Sequence, residues 1–71
     1  MWHDCGRGDY PEDHHELLNV ERCIRVVVVD DRMVYSTELR VYDPMLDSYI
    51  WNSQKNNIIA WMALPEYVRS K

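Results

Sequence analysis

Phenylalanine is missing from this chain, and glycine and cysteine each occur only twice. Each scarcity excludes something. Without Phe, a packed core has to be built from Trp, Tyr and aliphatic side chains, and a buried indole N–H or phenol O–H then needs a polar partner. Glycine confined to Gly6 and Gly8 leaves no phosphate-cradling glycine loop and no nucleophile elbow. Two cysteines do not make the disulfide framework of a small secreted scaffold, so Cys5 and Cys23 are expected to be free thiols. No apolar run approaches the roughly 20 residues that a bilayer-spanning helix requires. The first residues, MWHDC, have neither the basic start nor the apolar stretch of a signal peptide, so a cytoplasmic protein with no membrane partner is expected.

Basic charge is also short. Eight Lys and Arg against twelve Asp and Glu leave a net charge of −4. The excess sits at one end: residues 1–21 hold six acids and one base, net −5, whereas residues 22–71 hold six acids and seven bases, net +1. A protein that binds duplex nucleic acid needs a basic face to displace counterions from phosphates, and no such stripe exists here. A small anion held by one or two arginines remains open.

What is present reads as one small domain over residues 1–71, α+β and mainly β. A chain of this length buries only about 60% of its unfolded surface, so a metal, unusually good packing or self-association is expected to support it. Residues 1–21 form the acidic N-terminal segment. Pro11, with Asp9 near the cap and Glu12, Asp13 and Glu16 in the first turns, predicts a short helix ending near Asn19. Residues 22–63 predict an antiparallel meander of three or four strands. The first is RCIRVVVV at 22–29, rich in β-branched residues, with Ile24, Val26 and Val28 on the core face. A tight polar connection, Asp30-Asp31-Arg32, leads to MVYSTELRVY at 33–42, whose strict alternation indicates a hairpin. Strands at 49–51 and 58–62 follow, and residues 64–71 are expected to be a loose tail.

A Trp near the start, an acidic stretch with a Pro, a Val-rich strand, a lone strand Trp and a closing Trp-Met-x-Leu-Pro-Glu make a recognisable series. The residues are Trp2, Asp4, Pro11, Val26, Val27, Val28, Val29, Trp51, Ile58, Ile59, Trp61, Met62, Leu64, Pro65 and Glu66. In them the chain resembles the phage and prophage family known as domain of unknown function number 551. It departs from that pattern at Ala60, Ala63 and Tyr67, and by about ten additional residues before the first strand. The resemblance implies a small phage-type protein with no assigned activity, acting in the host cytoplasm, and it carries over no functional residues.

Chemistry-bearing side chains are few. His3, Cys5, His14, His15 and Cys23 are the one set with metal-ligand character, but they lack Cys-x-x-Cys and His-x₃₋₅-His spacing, and no metal or other cofactor is expected. Nothing activates Cys5 as a nucleophile, because Asp4 and Asp9 oppose its ionisation. The chain is therefore not expected to be an enzyme. Arg25 and Arg40, with Tyr42 and Trp51, form the candidate ligand set: a guanidinium pairs with phosphate and a ring stacks on a base. The plainer alternative is a cross-strand Arg25–Glu38 pair on a solvated face. Both faces of the sheet look apolar near Val27, Val29, Trp61 and Met62, which are the candidate interface residues of a homo-oligomer. Three readings follow. The first is a non-enzymatic, oligomeric, phage-type accessory protein that sequesters a small host nucleotide signal or blocks a host protein. The second is an interaction or structural module without a small-molecule site, and the third is a small zinc-stabilised domain.

Overall fold

The computed structural model describes residues 1–64. Most of the expected tail, residues 65–71, and with it the Pro65-Glu66 end of the family resemblance, lies outside the described residues.

Among these residues, five antiparallel strands curl into a half-barrel sheet. They are β1 (His3–Asp4), β2 (Cys23–Asp30), β3 (Tyr35–Asp43), β4 (Ser48–Trp51) and β5 (Ile58–Ala63). The order across the sheet is β1-β5-β2-β3-β4. The mainly β class stands, but a three- or four-stranded meander does not. Only β2, β3 and β4 are neighbours in chain order; β5 crosses back to pair with β2, and the first residues of the chain then pair with β5.

The expected N-terminal helix is absent among the described residues. The segment instead forms three separate 3₁₀ turns, Cys5–Arg7, Pro11–Asp13 and His15–Leu17. His14 sits between the last two in an extended conformation (φ −108°, ψ 103°), which stops the second turn from growing into a helix. A two-turn helix has an unfavourable nucleus and too few propagating bonds to offset it. Here the imidazole of His14 is drawn towards Asp9 instead.

Register decides what each face carries. Ile24 pairs with Arg40, Val26 with Glu38 and Val28 with Ser36 across β2–β3, while Val28 pairs with Trp61 across β2–β5. These side chains share the inner face. The register slips between Val29 and Asp30, where β5 carries an extra residue opposite β2. This bulge lets Ile58 and Trp61, three residues apart, both enter the core, which strict alternation forbids. Ile59 is 40% exposed. The core comprises Cys5, Ile24, Val26, Val28, Trp51, Ile58 and Trp61, with Tyr10 and Leu17 packed on it from the N-terminal segment. Residues 5–17 are thus the second layer of the fold. Trp61 is wholly buried, and an indole of that size contributes about 4–6 kcal/mol from apolar burial.

The β2–β3 connection is longer than the alternation suggests. Asp30 accepts hydrogen bonds on Oδ1 from the N–H groups of Arg32 (2.9 Å) and Val34 (3.0 Å), and Met33 takes the left-handed conformation at φ 64°. Strand pairing therefore resumes at Tyr35.

Two of the four candidate interface residues, Trp61 and Val29, are buried by the chain itself, and Val27 and Met62 are half-buried. Trp2 and Tyr35 reach towards each other across the outer face, ring centroids 5.7 Å apart, on the side where Val29 points. The premise that a second copy must shelter Trp61 and Val29 therefore fails. No helix among the described residues is long and apolar enough to cross a membrane.

Candidate functional site

Two polar constructions stand at opposite edges of the sheet. The first is built around Trp61. Its indole Nε1 donates to the backbone carbonyl of Asp9 at 2.8 Å, the partner that a buried Trp requires. Gly8 precedes Asp9 in the left-handed region (φ 78°) and turns the chain back over the sheet. That turn aims the Asp9 carboxylate at two imidazoles. His3 Nδ1 lies 2.9 Å from Oδ2, and His14 Nε2 lies 2.6 Å from Oδ1. An ionised carboxylate can only accept, so both nitrogens donate. His3 stacks on Trp61 (centroids 4.3 Å, planes 20° apart), His14 meets the indole edge-on at 5.1 Å, and the two imidazoles are 4.5 Å apart. On the far side of the ring, His14 Nδ1 is 3.7 Å from Glu16. The hydrogen bond to Asp9 raises the pKa of His14 above its ordinary value, and the donated bonds from His14 and His3 hold the Asp9 carboxyl below its own.

The second construction is centred on Arg40. Its Nε and Nη2 donate to the two carboxylate oxygens of Glu12 at 3.0 and 3.1 Å, a bidentate pair. The guanidinium lies between two rings, 4.4 Å from the centroid of Tyr10 and 4.7 Å from that of Trp51. Arg40 is 7% exposed. It ties the N-terminal segment to the sheet, just as Asp9 does on the other flank. Beside it, between the β3–β4 turn and the loop after β4, opens a cavity of about 480 Å³ whose walls include Arg40, Leu46, Tyr49, Trp51, Gln54 and Lys55.

The candidate ligand set is only partly assembled. Arg40 and Trp51 are opposite each other in the β3–β4 register and both face the cavity. Tyr42 shares their face, packs against Tyr49 and Arg22, and donates its hydroxyl to Asp47. Arg25 pairs with Leu39, one register step from the Ile24–Arg40 pair, so it points to the opposite face and is exposed. Arg25 and Arg40 therefore do not share a site, and Glu12 rather than Glu38 is the ion-pair partner in this region.

Of the metal-ligand set, the fold joins His3 to His14, leaves His15 exposed and recruits Asp9 in place of either thiol. Cys5 and Cys23 are free, the first buried and the second half-buried. Burial raises the pKa of the Cys5 thiol, against the opposing charge of Arg40.

Asp9, Glu12, Tyr49 and Lys55 were not legible as site residues. The partners of Asp9 and Glu12 lie 28 or more residues away in sequence, or across irregular 3₁₀ turns, where neither a helical nor a strand period applies, and Tyr49 and Lys55 meet only in a cavity that the two connections flanking β4 create. The one available signal was the need of a buried Trp for an acceptor. Comparison with protein-family models, curated proteins and solved structures finds no match to this chain.

Proposed function

We propose that the protein is a non-enzymatic binding protein that acts by occupancy, holding a small planar anion in the cavity between the β3–β4 turn and the loop after β4. The observation that carries this reading is the composition of that cavity: aromatic walls from Tyr49 and Trp51 and the cation Lys55, while the one carboxylate in the lining, Asp43, already accepts from the Met45 N–H. Lys55 makes no ion pair among the described residues, whereas Arg40 is already neutralised by Glu12. In this arrangement Arg40 stiffens the wall, and Lys55 supplies the charge that meets a phosphate. Stacking on an aromatic side chain is worth about 1–3 kcal/mol per base, and every nucleobase offers a face for it. A nucleotide signal is the ligand class that fits, and the family resemblance supplies the phage context in which sequestering one would matter.

The test is thermal unfolding against a panel of cyclic and ADP-ribose-type nucleotides. A ligand at 100 times its Kd stabilises the native state by about 2.7 kcal/mol, or roughly 10–20 °C for a domain of this size. Lys55→Ala and Tyr49→Ala should each abolish the shift; Lys55→Ala should leave the unliganded midpoint nearly unchanged, whereas Tyr49→Ala also loses the ring contact with Tyr42 and should lower it by a few degrees. No shift from any member at millimolar concentration would remove the nucleotide reading.

A second reading, an interaction module that binds a host protein or a second copy of itself, is favoured by a different observation. Met33, Val34 and Tyr35 at the β2–β3 turn are 55–59% exposed, and Trp2 beside Tyr35 is 42% exposed. Contiguous exposed apolar surface of this kind marks protein contacts. Sedimentation at micromolar concentration, with Tyr35→Ser as the control, tests whether the partner is another copy.

A further inference from the structure

We infer that His3, Asp9 and His14 form a binding site for a divalent first-row transition ion, with zinc the ion of choice, and that this ion fastens the N-terminal segment to the sheet over Trp61. One donor atom from each of the three residues lies within 4.8 Å of the others. Zinc bonds to imidazole nitrogen and carboxylate oxygen at about 2.0–2.1 Å in tetrahedral geometry, which sets the donor atoms roughly 3.3 Å apart. His14 Nε2 and His3 Nδ1 now lie 2.6 and 2.9 Å from different oxygens of the Asp9 carboxylate, slightly closer than that. A small rotation of the Asp9 side chain makes room for the ion.

The surroundings are those of a ligand set. Both imidazoles are oriented by packing on the fully buried Trp61, and the backbone of Asp9 is fixed by the indole N–H. Metal-bound histidines characteristically direct their second ring nitrogen at a carboxylate or carbonyl. Glu16 stands 3.7 Å from His14 Nδ1, on the side of the ring away from Asp9. On binding, the ion replaces the protons on His3 Nδ1 and His14 Nε2. A neutral imidazole shifts its proton to the other ring nitrogen, and a cationic one releases a proton to solvent. The side chains of His3, His14 and Asp9 are 23%, 25% and 36% exposed, so water reaches the remaining coordination position. Two histidines and one carboxylate with an open position also suit iron(II).

This site departs from the expectation that the chain holds no metal, and it does so without either thiol. It is independent of the proposed ligand cavity, because β1 and β5 lie at the other end of the strand order from β4. The experiment is calorimetric titration of zinc into protein prepared without a polyhistidine tag, together with cobalt(II) absorption spectra of the same protein. Saturation at one equivalent is expected, with cobalt d–d bands and no thiolate-to-metal charge-transfer band. Asp9→Asn and His14→Gln should each weaken binding by more than about a hundredfold, because even residues that only support a ligand cost 10–100-fold. Cys23→Ser should leave binding unchanged. Should the first two variants unfold, cobalt-induced shifts in the unsubstituted protein read the ligand set directly, and they should centre on His3, His14 and the Trp61 indole. No saturable binding, a strong thiolate band, shifts centred elsewhere, or full affinity in folded Asp9→Asn would overturn the assignment.

Discussion

Glu12→Gln removes the counter-charge of Arg40 and leaves a guanidinium between two rings with no anion beside it. The Arg40 side chain is 9% exposed and that of Glu12 21%. Breaking a buried pair by removing one partner costs about 3–5 kcal/mol. Water reaching the Glu12 side brings this down to about 2–3 kcal/mol. The aromatic contacts of Arg40 with Tyr10 and Trp51 survive the substitution and contribute about 0.5–2 kcal/mol each. A chain of 71 residues has a total stability of about 4–10 kcal/mol, so the loss is a large share and corresponds to roughly 10–20 °C in midpoint. Urea unfolding at pH 7, followed by Trp fluorescence and circular dichroism, measures it. The sharper test is the double variant Glu12→Gln with Arg40→Met. The thioether fits between the rings and carries no charge, so the double variant should be more stable than Glu12→Gln alone. Two outcomes would refute the reasoning: Glu12→Gln within 0.5 kcal/mol of the parent, or a double variant whose loss is the sum of the two single losses.

Two further outcomes are expected. In the presence of chelator, the Asp9 cluster should support the fold best between the ordinary carboxyl and imidazole values of 3.8 and 6.5. The lowered pKa of Asp9 means its contribution is lost as pH falls below that window; the raised pKa of His14 means its contribution fades as pH rises through and beyond 6.5. Asp30, also lowered by the Val34 and Arg32 N–H groups, shares the acid limb. Glu16 and Asp13 reinforce His14 on the alkaline side, so His14→Gln should flatten the melting-temperature profile between pH 6 and 8 and weaken the acid limb, to which His3 on Asp9 and the backbone bonds to Asp30 still contribute; an unchanged alkaline limb would count against the cluster. Met33→Gly should stabilise by about 0.5–1 kcal/mol in urea melts, because a left-handed conformation is costly for a residue with a Cβ; a loss of stability would mean that the side chain makes contacts its 59% exposure does not suggest.

Four of the five strands were legible in the sequence to within two residues at each end, because β-branched content and alternation report directly on a half-buried sheet. The inward direction of Ile24, Val26 and Val28 was equally legible. β1 was not: two residues carry no period, and their pairing with β5 depends on contacts 56 to 58 positions away in the chain. The helix expected after Pro11 had correct local signals, a proline at the first position and acids behind it, but tertiary demand on His14 and Glu12 overrode a weak propensity. The bulge beside Ile58 was not legible either: strict alternation puts Ile58 and Trp61 on opposite faces, and a single inserted residue brings both inward. Of the candidate site, residue type marks His3 and His14, and residue type together with strand position marks Arg40 and Trp51. Their partners Asp9 and Glu12 were not, since an acid in an acidic segment looks like solvated charge until a fold brings a cation or an imidazole to it.

The position of β1 governs the order in which the sheet can form. The β2–β3–β4 succession needs only short turns, so its loops close early and at low entropic cost. The crossing to β5 comes next. His3 has no strand to join until Trp61 has docked beside Val28, which makes β1 the last strand to be fastened. His3 and Asp4 thus stay unpaired until β5 is in place, although Glu12 can already reach Arg40 on β3, and removing β1 would leave the free edge of β5 open to strands from other molecules.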